Sequence, residues 1–292
     1  MKLRTIVLTL AALAAAAVSC KSQFETLLSS NDVDAKYKAA MELFNNGKYL
    51  KAGQLFESMA ILTDGTERDD TVRYYWALSN YRYRDYYTAE SNFAKFIEKY
   101  PQSPFSSDAR FMRIDCLYRA TYRWELDQNP TRNCLATIIT YELEYPEAKE
   151  HLETTAKMKA DLYDRLDRKE FENARLYYKM EDYLAARVAL RNVLKDNAEN
   201  RYREDILYYT AMASYHYARM SVQAKQKERY LVFVDDYLNF IGEYPDSKYR
   251  RELDVMNRRC QRALGRYDGA DEELELKAKD FERERKEMDK NN

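Results

Sequence analysis

One short pattern recurs along this chain and constrains its fold more than any other feature. The pattern Tyr-x-x-Ala-x-x-x-Phe begins at Tyr49 and again at Tyr86, and the variant Tyr-x-x-Ala-x-x-x-Leu begins at Tyr183. Residues four apart lie on one face of an α-helix, so the small Ala lets a partner helix approach while the large apolar residue fills the space beside it. The pattern therefore predicts a series of helical hairpins that bury the same face.

The ends of the hairpins carry their own signals. Tyr-Pro follows the second helix at Tyr100, Tyr145 and Tyr244, and the residue before a proline avoids helical geometry. Asn46-Gly47 and Arg84-Asp85 stand where the first helix of a pair must end and turn. These signals divide the chain into five units, at 36–64, 70–101, 108–146, 171–198 and 205–245.

A single hairpin cannot bury its apolar face alone, so neighbouring units must stack. We predict an all-α fold over residues 34–265, a right-handed superhelix of about five tetratricopeptide-like (TPR-like) helical hairpins, that is, an α-solenoid. Six Gly and five Pro agree with this, because average usage would give roughly twenty and fifteen. We read 147–170 as a long helix with a narrow buried stripe.

The start of the chain predicts export. Lys2 and Arg4 precede an apolar run at 5–18, which has the length of a secretory signal and is shorter than the roughly 20 residues of a transmembrane helix. The run ends in Ala17-Val18-Ser19-Cys20, which matches a lipobox. An ordinary secretory signal with a chance cysteine is the alternative.

The lipobox predicts that residues 1–19 are a lipoprotein signal peptide that is removed. Cys20 would then carry a diacylglycerol group and an acyl chain such as palmitate, which anchor the protein stably. Residues 20–33 would be a flexible tether, and Lys21, in place of Asp, favours the outer membrane. The charged segment 266–292 is either a solvated, frayed tail or a helix that binds a partner.

The composition and the motifs argue against nucleic-acid binding, a metal site and enzyme activity in this chain. Its 48 basic and 49 acidic residues leave no basic balance, so nucleic acid is not an expected partner. His151 and His216 have no partners at metal-ligand spacing, and the chain has no Gly-rich phosphate loop. Asp235-Asp236 is the closest carboxylate pair in an apolar setting. We expect no enzyme activity, no catalytic residue, no metal and no cofactor beyond the lipid.

Three cysteines remain after Cys20, namely Cys116, Cys134 and Cys260. An odd number cannot all pair within one chain. Cys116 and Cys134 could face each other across one hairpin as a disulfide. Small buried apolar side chains are the alternative that we favour.

Five aromatic residues crowd the first helix of the second unit: Tyr74, Tyr75, Trp76, Tyr81 and Tyr83. This number exceeds what one core face can bury, so some of them must be exposed or face a groove. TPR arrays commonly bind extended peptides in the groove formed by the first helix of each pair. These five residues are therefore our candidates for a binding groove, although each one alone is better explained by packing.

The order of these features resembles a known family. After the lipobox and the repeats, the most telling stretch is Leu162-x-x-Arg165-Leu166-x-x-Lys169-Glu170-x-x-x-Ala174-x-x-Tyr177-Tyr178, with Tyr100-Pro101-x-Ser103-Pro104 in the second unit. Both resemble the BamD family, the helical lipoproteins of the outer-membrane β-barrel assembly machine. The resemblance covers most of residues 34–265.

The resemblance implies a non-enzymatic scaffold that is lipid-anchored at the outer membrane and faces the periplasm. Its N-terminal repeats would receive unfolded β-barrel substrates, and its C-terminal repeats would dock the periplasmic domains of the barrel insertase. Two other functions fit the repeats alone. One is a TPR lipoprotein adaptor for peptidoglycan synthesis or cell division, and the other is a glycan-binding outer-membrane lipoprotein.

Overall fold

The computed structural model describes residues 23–266 together with 283, 285 and 286, and the described residues contain helices and no strand. After a short helical stretch at 23–29, we number the helices in chain order. They are α1 (Val33–Asn45), α2 (Tyr49–Met59), α3 (Asp69–Arg82), α4 (Tyr86–Lys99), α5 (Ser106–Arg119), α6 (Asn129–Glu144), α7 (Lys149–Lys179), α8 (Tyr183–Asp196), α9 (Arg203–Arg219), α10 (Gln223–Glu243) and α11 (Arg250–Ala263).

The chain divides into two compact units, here called the N-terminal unit (Met1–Leu162) and the C-terminal unit (Tyr163–Asn292). In the N-terminal unit each helix from α1 to α5 packs against the next one along the chain. In the C-terminal unit α8, α9, α10 and α11 pack in the same consecutive order. This order is that of a TPR-like array, so the predicted all-helical repeat fold is confirmed.

The repeat pattern does in the structure what its spacing predicts. The alanines and the large apolar residues four positions later are fully buried at Ala52 and Phe56, at Ala89 and Phe93, and at Ala186 and Leu190. Burying one such large side chain contributes about 1.5–3 kcal/mol. The pattern therefore marks the face on which the two helices of each hairpin pack.

The turns within three hairpins share one geometry. Gly47, Arg84 and Glu181 each adopt a left-handed backbone, with φ of 73°, 70° and 62°. In each turn the next residue donates its N–H to the carbonyl five positions earlier: Lys48 to Leu43 (2.8 Å), Asp85 to Asn80 (3.0 Å) and Asp182 to Tyr177 (3.0 Å). This bond pattern is a Schellman-type helix end. Asp85 and Asp182 then accept the N–H three residues on and cap the second helix.

Aromatic stacking links successive first helices. The residue just before α5, α9 and α11 is aromatic in every case. Its ring stacks on an aromatic residue of the preceding first helix in the pairs Phe105 on Tyr74 (4.5 Å between centroids), Tyr202 on Phe171 (5.4 Å) and Tyr249 on Tyr208 (4.0 Å). Stacked pairs of this kind contribute about 0.5–1.5 kcal/mol beyond the area they bury.

The structure corrects two boundaries. Residues 23–29, part of the predicted flexible tether, are helical, and Phe24, Leu27 and Leu28 pack against the apolar core of α1 to α3. The predicted helix at 147–170 does not end before the fourth repeat, because α7 runs without a break through Lys149–Lys179. Residues 1–22, and therefore the predicted signal peptide and Cys20, lie outside the described residues.

The array continues past the last predicted unit. Helix α11 packs on α10 and α9, with Leu253, Met256 and Cys260 fully buried. A repeat array needs an end that covers the apolar face of its last hairpin, and α11 serves as that cover in the C-terminal unit. The sequence places these residues inside the array but does not assign them to a repeat.

Candidate binding surfaces

Tyrosine hydroxyls tie neighbouring repeats together. In the N-terminal unit Tyr81 on α3 donates to Asp115 on α5 (2.7 Å), and Tyr74 donates to Asp108 in the same way. Burial, reinforced by the hydrogen bond to Asp115, raises the pKa of Tyr81 to about 12. Both tyrosine–aspartate pairs are 34 residues apart, one repeat length. These tyrosines therefore bury their rings in one repeat and hydrogen-bond to the next.

Most of the five predicted groove residues are used in packing. Tyr74 is buried and stacked on Phe105. Tyr75 stacks on Phe56, with 5.8 Å between ring centroids. Tyr81 meets the ring of Tyr86 edge-on at 5.6 Å, and its hydroxyl is bonded to Asp115. Half of the surface of Tyr83 is exposed at the end of α3.

Trp76 lines an open recess in the N-terminal unit. The cavity measures about 420 Å³ and is lined by Glu57, Ala60, Ile61, Asp64, Arg73 and Trp76. Ile61 is 86% exposed at its edge, and Arg73 reaches Asp64 at 3.1 Å. An aromatic wall beside an exposed apolar residue and a pair of charges suits an apolar side chain with neighbouring peptide groups. Trp76 is thus the predicted groove residue that the structure places in a cavity.

A larger groove lies between α8, α9 and α10 in the C-terminal unit, with a volume of about 680 Å³. The guanidinium of Arg187 donates to both carboxylate oxygens of Asp236, at 2.7 and 3.2 Å. Ser214 donates to the same carboxylate. Asp236, one half of the carboxylate pair noted in the sequence, is therefore held as an ion-pair partner. These bonds join α10, which carries Asp236, to α8 and α9.

An apolar patch surrounds the turn between α7 and α8. It consists of five large side chains that are exposed: Leu176, Tyr177, Met180, Leu184 and Val188. Met180 alone is 66% exposed. Contiguous exposed apolar residues of this size usually mark a protein–protein contact. The sequence did not predict this patch, because the family-like pattern of Ala174 to Tyr178 does not indicate which side chains face outward.

The histidines and cysteines occupy structural positions. His151 stacks on Phe111 at 4.0 Å, and its Nδ1 lies 2.8 Å from the Tyr141 hydroxyl. Burial, helped by Arg219 and Arg285, lowers the pKa of His216 to about 3. Across the described ranges no three histidine, cysteine or acidic side chains come together as a metal site.

Cys116, Cys134 and Cys260 are buried thiols outside any disulfide. This confirms the reading of small buried apolar side chains. Burial raises the pKa of Cys116 to about 12, so its thiol stays protonated and unreactive at neutral pH. None of the helices in residues 23–266 is long and apolar enough to span a membrane.

These observations describe a TPR-like helical array whose exposed features are recesses and apolar patches on packed helices. A family model described as "Outer membrane lipoprotein", YfiO, matches residues 29–232. The chain belongs to this family of outer-membrane lipoproteins, the BamD family that its sequence resembles. A search of curated proteins gave no match.

Proposed function

We propose that this protein is a lipid-anchored scaffold of the outer-membrane β-barrel assembly complex. It binds the barrel insertase and unfolded outer-membrane protein substrates, and it has no enzymatic activity of its own. The observation that carries the proposal is the family match over residues 29–232. The lipid on Cys20 holds the scaffold at the periplasmic face of the outer membrane.

The N-terminal unit receives the substrate. The Trp76 recess supports this role, because unfolded barrel strands alternate apolar and polar residues. The cavity of about 420 Å³ offers an aromatic wall for one apolar side chain and the Arg73–Asp64 pair for a polar neighbour. Such a site accepts many sequences with modest affinity, as a receptor for diverse unfolded chains requires.

The C-terminal unit docks the insertase. The patch of Met180, Leu184 and Val188 supports this role, because buried apolar anchors carry most of the affinity in stable interfaces. The patch lies within the segment that matches the family model. The apolar patch would bind one folded partner stably, whereas the Trp76 recess would bind many unfolded sequences weakly.

Photocrosslinking in cells tests the two roles separately. A photoreactive phenylalanine replaces Trp76 or Leu184, and matched controls carry it at Tyr87 and Leu143, which are exposed in the N-terminal unit. We expect position 76 to crosslink to newly exported barrel proteins and position 184 to one large barrel protein. Equal crosslinking from the control positions would contradict the assignment of these surfaces.

Depletion of the protein tests the function itself. Folded barrel proteins in the outer membrane should fall while other lipoproteins stay constant. Unchanged barrel levels after full depletion would refute the proposal. Early defects in shape and septation would favour the adaptor for peptidoglycan synthesis or division, and retention on a polysaccharide column would favour the glycan-binding alternative.

A further inference from the structure

A buried carboxylate lies on the first-helix face of the C-terminal unit. Glu252 on α11 is only 7% exposed. It accepts a hydrogen bond of 2.6 Å from the hydroxyl of Tyr208 on α9, which is almost completely buried. Burial, together with Glu252, raises the pKa of Tyr208 well above its usual value, so the hydroxyl stays protonated and keeps donating. A carboxylate so deep in the protein requires a cation beside it.

That cation comes from the charged tail. Arg285 lies with one guanidinium nitrogen (Nη1) 3.6 Å from Oε1 of Glu252, and its side chain is 13% exposed. Its guanidinium carbon is 5.6 Å from the centre of the Tyr178 ring on α7. A carboxylate and aromatic faces are the partners that a planar guanidinium binds best.

Among the tail residues that the structure describes, Arg285 is the most deeply buried. Arg283 and Lys286 are exposed, whereas Arg285 is not. Its contacts with Glu252 and Tyr178 indicate recognition of one arginine side chain by a shaped site.

The contact with Arg285 is not saturated. The Tyr178 hydroxyl and the Nη1 atom of Arg285 are buried and have no hydrogen-bond partner among the described residues. Unpaired buried polar groups weaken an interaction. These two unpaired atoms lower the free energy gained when Arg285 inserts.

We propose that Tyr178, Tyr208 and Glu252 form a binding site for a single arginine side chain, and that the tail of this chain occupies it through Arg285. The three residues lie on α7, α9 and α11. TPR arrays commonly bind peptides in the groove formed by first helices such as these. Arg285 therefore occupies this site until it is displaced. This inference does not depend on the proposed role in barrel assembly.

Peptide binding in trans tests the site on the full-length lipoprotein in detergent. A fluorescent peptide of residues 277–292 is titrated into the wild-type protein and into Arg285→Ala, with anisotropy as the readout. The tethered tail competes at an effective concentration near the millimolar range. We expect the Arg285→Ala protein to bind the peptide at least tenfold more tightly than the wild type. Lys286→Ala, which removes a neighbouring exposed charge, should behave like the wild type.

Variants of the peptide keep the test independent of protein folding. The peptide with Arg285→Ala should lose binding, and the peptide with Arg285→Lys should lose most of it, because an ammonium lacks the planar face. Adding Glu252→Gln to the Arg285→Ala protein should abolish binding, with its melting temperature as the folding control. Equal affinity of both peptides, or of the wild-type and Arg285→Ala proteins, would overturn the proposal.

Discussion

Asp69 anchors the second repeat, and replacing it by Asn should destabilise the N-terminal unit. Its carboxylate is fully buried. It accepts hydrogen bonds from Arg73 at 2.9 Å, from Lys99 at 2.7 Å and from the hydroxyl of Tyr100. These bonds join the start of α3 to the end of α4, so they close the hairpin. Asp69→Asn keeps the shape and removes the charge that the donors face.

The expected loss of stability in Asp69→Asn follows from the pKa of Asp69. Burial by itself would raise the pKa of Asp69, but the donated hydrogen bonds outweigh burial and lower it from 3.8 to about 2. Each pKa unit corresponds to about 1.4 kcal/mol, which gives about 2 kcal/mol for the charged form. Breaking a buried ion pair costs about 3–5 kcal/mol. Lys99 stays 39% exposed and regains water, so we expect a loss of about 2–3 kcal/mol.

The assay can be confined to the N-terminal unit. The two tryptophans, Trp76 and Trp124, both lie there, so urea unfolding followed by tryptophan fluorescence reports this unit. Glu67→Gln is the matched control, because Glu67 is exposed two residues before Asp69. The control should change the free energy of unfolding by less than about 0.5 kcal/mol.

The pH dependence adds a second criterion. A carboxylate whose folded pKa is depressed stabilises fully above its unfolded pKa and loses this contribution as pH falls through the folded value. The wild type and Asp69→Asn should therefore differ at pH 7 and converge between pH 4 and pH 2. A variant as stable as Glu67→Gln at pH 7 would refute the reasoning.

Three further changes test other parts of the structure. His216 has a pKa of about 3 when folded and 6.5 when unfolded, so the unfolded chain protonates first and the C-terminal unit should lose about 2 kcal/mol between pH 7 and pH 5. In His216→Phe, which keeps a ring against Tyr183, this loss should vanish from urea curves followed by circular dichroism. Arg84→Gly should raise the free energy of unfolding by about 1 kcal/mol, since a non-glycine residue in a left-handed backbone costs about 1–2 kcal/mol. The control Arg82→Gly, within α3, should lower it. Equal effects of the two changes would contradict the turn geometry. Ala89→Leu should lower the melting temperature, because overpacking a filled helix contact costs about 1–3 kcal/mol, and an unchanged melting temperature would mean that α3 and α4 are not closely packed.

The sequence predicts the hairpins well because their signals are local. Asn46-Gly47 and Arg84-Asp85 act through backbone geometry within a few residues, and the structure confirms both turns. Tyr100 shows the limit of this reasoning. The proline after it explains why α4 ends, but its hydroxyl bonds to Asp69, 31 residues earlier, and no local pattern indicates that pairing.

The contacts between repeats could be predicted only in part. Tyr74 and Tyr81 both pair with aspartates 34 residues later, so a search for tyrosine and aspartate at the repeat spacing would have found them. The Arg285 contact offers no such signal, because Arg283 and Arg285 stand two residues apart in the same charged sequence. Which residue inserts depends on where the tail lies in three dimensions.

Purification of the intact lipoprotein from detergent-solubilised membranes would show whether it is part of the barrel assembly complex. Mass spectrometry should identify one large barrel protein with periplasmic domains in near-equal amounts. The barrel protein should no longer copurify when Met180, Leu184 and Val188 are replaced together by serine. It should still copurify when the exposed control residues Leu50, Leu126 and Leu143 are replaced together by serine. Recovery of cell-wall synthases or division proteins in place of the barrel protein would contradict the proposed role in barrel assembly.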